Sequence, residues 1–261
     1  MTPLNTDSSA FAAKVGLDKK LLFLAVAKRR GDGALNVVDL ATHSTASRTL
    51  SGGPVRLLRL RPTNDLWVQG DTLQSVSEAG DVGEPIALHF GRAYASGQVV
   101  NVGADRVAVS LTWQGKPLYR VALIDLKQRK VDGVIETRSA GQKAKLGTSH
   151  FGKDLGKGML QSMATLGTST VVVHTDYYDY GLAARPDGRF VYAIDFSTHE
   201  AAVIDTSTLA SVTTIGFDKA VARTELSRDG RDLVLFSRPT NAAPTGGQVQ
   251  RIDLESNTMK N

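Results

Sequence analysis

No cysteine occurs in this 261-residue chain. That excludes disulfides, thiolate metal centres and a cysteine nucleophile, and leaves the redox compartment open. Long apolar runs are also missing. No stretch approaches the roughly 18 residues that a membrane-spanning helix needs. The opening MTPLNTDSSAF has no basic segment followed by an apolar one, so any export leader is expected outside these residues. Aromatics are scarce at 6%. Charge is not concentrated in one sign: 31 Lys and Arg face 26 Asp and Glu, for a net +5. The densest basic cluster, Lys28-Arg29-Arg30, runs straight into Gly31-Asp32-Gly33. It reads as a solvated hairpin tip, so nucleic acid is not an expected partner.

Several catalytic signatures are absent as well. GKDLGKG, from Gly152 to Gly158, has glycines but not the GxxxxGK[ST] spacing, because Lys157 is followed by Gly158 and not by a hydroxyl. No GxSxG elbow occurs, and His199-Glu200 lacks the second histidine of a zincin helix. His43, His89 and His150 have no partner at a ligand spacing and read as turn or surface residues.

What the chain does have is glycine, 25 residues of it, with 41% hydrophobic and 22% charged residues, a composition suited to a large core built from short strands and tight turns. The clearest unit runs from Arg185 to Phe217, RPDGRFVYAIDFSTHEAAVIDTSTLASVTTIGF. Asp187-Gly188 signals a hairpin turn. Phe190 to Ile194 is apolar on both faces, as a strand sandwiched between two sheets requires. Ala201 to Ile204 is a further strand, Asp205-Thr206-Ser207-Thr208 a turn, and Val212 to Ile215 an outer strand.

The same order recurs at Leu17 to Val26 leading to Val38-Asp39, at Gly103 to Leu111 leading to Ile124-Asp125, and at Ser227 to Ser237 leading to Ile252-Asp253. A shorter copy, RPTNDLWVQGDTLQSV, runs from Arg61 to Val76 with Gly70-Asp71 as a tight second turn. The first-turn aspartates sit at 18, 65, 105, 187 and 229, giving steps of 47, 40, 82 and 42. Four strands repeating every 40 residues or so is the signature of a β-propeller, since one blade cannot bury both its faces alone. The expected fold is all-β, a propeller of five to six four-stranded blades in an incomplete or open ring, with one short helical insertion. Blades are expected near 10–50, 55–90, 95–138, 180–217 and 221–261.

The unit with PDG, FVYAID and AAVIDTSTL resembles a YVTN-type β-propeller repeat, of the kind found in bacterial surface and periplasmic proteins and similar in fold to the propeller chain of quinoprotein amine dehydrogenases. The WD dipeptide and Gly-His pair of WD40 repeats are missing. The resemblance implies a six- or seven-bladed recognition scaffold in the periplasm or outside the cell, with no catalytic residue that can be placed here and no cofactor. Its expected partner is a protein, glycan or small ligand held by inter-blade loops. The alternative is an enzyme or enzyme subunit, such as a lactonase-like hydrolase or the propeller chain of a quinoprotein dehydrogenase.

Residues 139–179 break the repeat, either as an insertion or as a degenerate blade. Leu155, Met159, Leu160 and Met163 have the spacing of a short amphipathic helix, and Ser169 to Asp176 reads as a strand. The candidate ligand-binding residues follow: His174, Asp176, Tyr177, Tyr178, Asp179 and Tyr180, three of the six tyrosines beside a histidine and two carboxylates. The repeated Asp39, Asp125, Asp205 and Asp253 are expected to cap turns and not to form a ring of carboxylates. The last copy is expected to stop short of an outer strand, leaving further blades or a partner to complete the ring.

Overall fold

The computed structural model describes residues 9–27, 33–60, 65–90, 93–94, 98–113, 116–137, 180–196, 198–218, 221–237 and 248–260. Among them are 22 strands and no helix, arranged in five antiparallel sheets that follow one another along the chain. Blade 1 comprises β1 (Ser9–Val15), β2 (Leu21–Ala27), β3 (Gly33–Asp39) and β4 (Thr45–Leu50), hydrogen-bonded in that order. Blade 2 comprises β5 (Pro54–Leu60), β6 (Asp65–Gly70), β7 (Thr72–Val76) and the two-residue β8 (Ile86–Ala87).

Blade 3 is enlarged. Besides β11 (Val99–Val102), β12 (Arg106–Trp113), β13 (Lys116–Asp125) and β14 (Lys130–Glu136), it carries a small hairpin, β9 (His89–Phe90) and β10 (Ala93–Tyr94), whose Tyr94 pairs with Thr112 on β12 beyond the reach of β11. Blade 4 comprises β15 (Tyr180–Ala184), β16 (Phe190–Asp195), β17 (Glu200–Asp205) and β18 (Ala210–Gly216). Blade 5 comprises β19 (Val221–Leu226), β20 (Asp232–Ser237), β21 (Val249–Asp253) and β22 (Thr258–Lys260).

Each blade is covered by the next. Phe23, Leu35 and Val37 of blade 1 meet Leu57, Leu66 and Val68 of blade 2. Trp67 and Leu73 of blade 2 meet Val107, Val109 and Ile124 of blade 3. Ala108, Val121 and Leu123 of blade 3 meet Leu182, Val191 and Ile204 of blade 4, and Tyr192, Ile194 and Val203 of blade 4 meet Leu233, Leu235 and Ile252 of blade 5. An interior strand therefore buries both faces, and β16 is buried at all six positions. This is why FVYAID shows no polar alternation. The first strands of neighbouring blades touch, β1 against β5, β11 against β15 and β15 against β19, so they form the inner wall.

Four turns between third and fourth strands share one construction. The Asp39 carboxylate accepts the N–H groups of Ala41 and Thr42, Asp125 accepts Gln128, Asp205 accepts Ser207 and Thr208, and Asp253 accepts Glu255 and Ser256. Four residues after each aspartate comes a positive φ, at His43, Arg129, Leu209 and Asn257. The residue after each aspartate ties this turn to the first turn of its own blade, as Leu40 N–H does to Lys20 C=O and Leu254 N–H to Arg231 C=O. The expected capping role of these four aspartates is thus what the structure shows.

Donated hydrogen bonds hold the Asp39, Asp205 and Asp253 carboxyls below their ordinary range; the Ser207 hydroxyl and amide act on Asp205, and the Ser256 amide acts first on Asp253, with Lys260 second. A depressed folded pKa contributes stability above the unfolded value and loses it as pH falls through the folded one. Asp205→Asn keeps the acceptor and removes the charge. The variant is therefore expected to melt with a flatter acid limb than the parent below about pH 4. Melting curves across the acid range check this, and parallel acid limbs would overturn it.

The structure corrects two details. Blade 5 does end in an outer strand: Thr258 to Lys260 pair with Asp253 to Arg251, and Lys260 Nζ lies 3.1 Å from Asp253 Oδ2. A polar three-residue strand carries too little pattern to be read from sequence. Asp65 and Asp105 also do not occupy the turn position of Asp18, Asp187 and Asp229, because Asp65 opens β6 and Asp105 immediately precedes β12. By strand register the equivalent residues are Leu21, Asp65, Arg106, Phe190 and Asp232, at steps of 44, 41, 84 and 42. The Lys28–Gly31 tip, the proposed helix at 152–166 and the strand proposed at 169–176 lie outside the described residues.

Candidate functional site

Antiparallel order puts the first-to-second and third-to-fourth turns of every blade at one rim and all other connections at the opposite rim. The two rims differ in regularity. At the aspartate rim the third-to-fourth turns span four residues in blades 3, 4 and 5, five in blade 1 and nine in blade 2. At the opposite rim the connections run from the single residue Asp71 between β6 and β7 to the 11 residues between Ser237 and Val249 and the 43 between Glu136 and Tyr180. Blade 3 also extends toward this rim, where Trp113 pairs with Lys116 at the tip of the β12–β13 hairpin.

His174, Asp176, Tyr177, Tyr178 and Asp179 lie outside the described residues. Tyr180 is placed: it opens β15, pairs with Asp195, and so stands at the irregular rim end of blade 4's inner strand. The chain bearing the other five residues enters the fold there.

Below that point the inner strands β11, β15 and β19 line a cavity of about 460 Å³, which extends toward the aspartate rim. Small residues make the room. Ala183 and Ala184 are buried, and Gly181 leaves space for the Phe196 ring, which would stand 2.9 Å from a Cβ there. Gln98 holds the wall together: its Oε1 accepts Leu182 N–H at 2.7 Å, while its own N–H donates to Ser110 Oγ.

Val99, Val100 and Leu226 give the cavity an apolar wall, and Asn101, Thr224, Arg185 and Glu225 supply its polar edge. Arg185 already has structural partners. Its Nε is 3.0 Å from Asp187 Oδ2, its Nη1 donates to Leu254 C=O at 3.1 Å, and its guanidinium lies over Phe190. Glu225 pairs with Arg223 at 3.3 Å in the open, where such a pair contributes little. This is a binding surface of mixed polarity. Among the described residues no group of three or more His, Asp or Glu is placed to hold a metal ion.

Sequence reasoning did not single out this cavity. Its lining comes from equivalent positions in the first strand of three repeats, and those strands share no residue pattern, VVNV, YGLAA and VARTEL. The signal available was position within the repeat and not residue type.

No family model matches the chain, and no curated protein matches it in sequence. Solved structures do match in shape. A chain of hydrazine synthase from Kuenenia stuttgartiensis superposes with a TM-score of 0.53 at 14% identity, covering 98% of this chain and 66% of the other. The β-propeller domain of Cps50 (Swd1) from Myceliophteria thermophila gives 0.50 at 13% identity, covering 97% of this chain and 68% of the other. This chain thus spans about two thirds of the length of each. Identities this low speak to fold alone. With five antiparallel sheets stacked face to face in chain order, and with a solved β-propeller domain matching it almost end to end, this chain folds as a β-propeller.

Proposed function

We propose that the protein is a non-enzymatic propeller scaffold that binds a protein, glycan or small ligand through the irregular rim. The contrast between the two rims carries this reading. Four of the five third-to-fourth turns at one rim are short and committed to holding the backbone, whereas connections of 1 to 43 residues at the other are where binding residues accumulate on a rigid frame. His174, Asp176, Tyr177, Tyr178, Asp179 and Tyr180 form the proposed contact set, because their segment joins the inner strand at that rim. Tyrosine side chains present large contact area at low entropic cost. The YVTN resemblance supports a periplasmic or secreted location.

The test compares a Tyr177→Ala, Tyr178→Ala, Asp179→Ala variant with a Lys127→Ala, Gln128→Ala variant at the aspartate rim, both screened on a glycan array. The first is expected to lose about 10-fold or more in affinity for whatever the parent binds, and the second to match the parent. The opposite pattern would overturn the reading. Turnover of a lactone, or of an amine with a dye acceptor, would return the enzymatic alternative.

A further inference from the structure

We infer that the inner edge of β15, where it borders the cavity of the inner wall, is a second binding site, one that takes a short, uncharged, extended peptide by strand pairing.

Register decides which way the backbone of β15 points. Arg185 N–H donates to Phe190 C=O, so Ala183 and Gly181, two and four residues earlier, also turn their backbone polar groups to β16. Leu182 and Ala184 turn theirs the other way, to an edge with no neighbouring strand. The structure already shows what this edge accepts. The Gln98 carboxamide sits on it as a peptide group would, its Oε1 taking Leu182 N–H at 2.7 Å. Further along the edge, Leu182 C=O and both backbone groups of Ala184 have no hydrogen-bond partner among the described residues. Thr224, on the β19 side of the cavity, repeats the arrangement. Ser227 N–H donates to Asp232 C=O, which by the same alternation turns the Thr224 backbone away from β20, and neither that backbone nor the Thr224 hydroxyl is bonded among the described residues.

Its surroundings set this edge apart. β18, the outer edge of the same blade, is exposed from Ala210 to Thr214, where water competes for every bond. The β15 edge instead borders a cavity of about 460 Å³ with Val99, Val100 and Leu226 in its walls, a size in the range of small-ligand sites. Ala183 and Ala184 have side chains short enough to leave the backbone within reach. Hydrogen bonds made between such walls are stronger than those made in water.

The ligand class follows from what is unpaired and what is not. The charges at the margin already have partners, Arg185 with Asp187 and Glu225 with Arg223. Backbone donors and acceptors between apolar walls call for a ligand that alternates acceptors and donors and carries no charge. An internal stretch of peptide with small apolar side chains meets that description.

The probe is N-acetyl-Ala-Ala-N-methylamide, titrated against the isotope-labelled 261-residue chain and followed by amide resonances. Saturable shifts are expected at Leu182, Ala184 and Thr224. Replacing the second alanine of the probe by lactate, which exchanges one N–H for an ester oxygen, is expected to weaken binding about fivefold. Ala184→Pro removes an edge donor without breaking a ladder bond and is expected to weaken it to a similar extent, while Thr224→Trp fills the cavity and is expected to abolish binding. The Tyr177→Ala, Tyr178→Ala, Asp179→Ala variant is expected to bind the probe as the parent does, which keeps this inference separable from the rim reading.

An absence of saturable shifts up to about 20 mM, or an ester that binds as well as the amide, would overturn the inference. Loss of probe binding in the triple variant would overturn it by moving the peptide to the irregular rim. N-methylacetamide binding as tightly as the capped dipeptide would overturn the peptide in favour of a lone amide. Should Ala184→Pro or Thr224→Trp misfold, the ester comparison on the parent chain decides.

Discussion

Gly188→Ala is expected to destabilise the protein by about 3 kcal/mol, which combines a left-handed backbone that alanine resists with an overpacked contact. Gly188 has φ +74°, and a Cβ there would stand 2.6 Å from Gly103 N and 2.7 Å from Gly103 Cα. Both atoms are backbone, so no side chain can swing aside. The first turns of blades 3 and 4 touch here because strands converging on an axis bring their inner turns closest together. The next pair repeats the arrangement less severely. A Cβ at Gly230, with φ +70°, would meet Pro186 Cγ at 2.6 Å. Chemical denaturation of Gly188→Ala and Gly230→Ala checks the argument: the first should lose more than the second, and equal losses would mean that the φ penalty dominates and the backbone contact yields.

Tyr192→Ala is expected to cost about 4 kcal/mol and Tyr192→Phe about 1 kcal/mol. Tyr192 is fully buried between blades 4 and 5, and its hydroxyl donates to Asn257 Oδ1 at 2.6 Å, within the aspartate turn of blade 5. The ring fills the inter-blade core and the hydroxyl registers one blade against the next. Desolvation pushes its pKa up from 10.0 to about 12. A raised folded pKa means that the stabilisation is complete below pH 10 and lost as pH climbs to 12. The loss amounts to about 2 kcal/mol. A phenolate absorbance titration should show a late step from Tyr192, and that step should vanish in Tyr192→Phe. A parent chain with no late step would show that water reaches the hydroxyl.

The two predictions also mark what could be read without coordinates. PDG, FVYAID and VID turn triplets announce strands, turns and two-sided burial, and these place Gly188 in a hairpin and Tyr192 in a core. Neither contact partner was legible. Gly103 is 85 residues from Gly188 and Asn257 is 65 from Tyr192, and which blade follows which around the axis is a property of stacking and not of local pattern. The step of 84 shows the same boundary. That Gln98 of blade 3 accepts the Leu182 N–H of blade 4 across this step could not be read from either segment, and residues 138–179 lie outside the described residues. For the candidate site, Tyr180 could be tied to the start of an inner strand, whereas the cavity below it required knowing that Val99, Ala184 and Thr224 share one wall.

The four aspartate turns have a consequence for how this surface can change over time. A left-handed residue usually demands glycine or asparagine, which would make each turn a conserved, featureless spot. Here the carboxylate four residues earlier organises the loop, and histidine, arginine, leucine and asparagine all occupy the strained position. Backbone shape is thereby uncoupled from side-chain identity. One rim of the molecule can change its charge, size and hydrophobicity residue by residue while the outline of each blade stays constant.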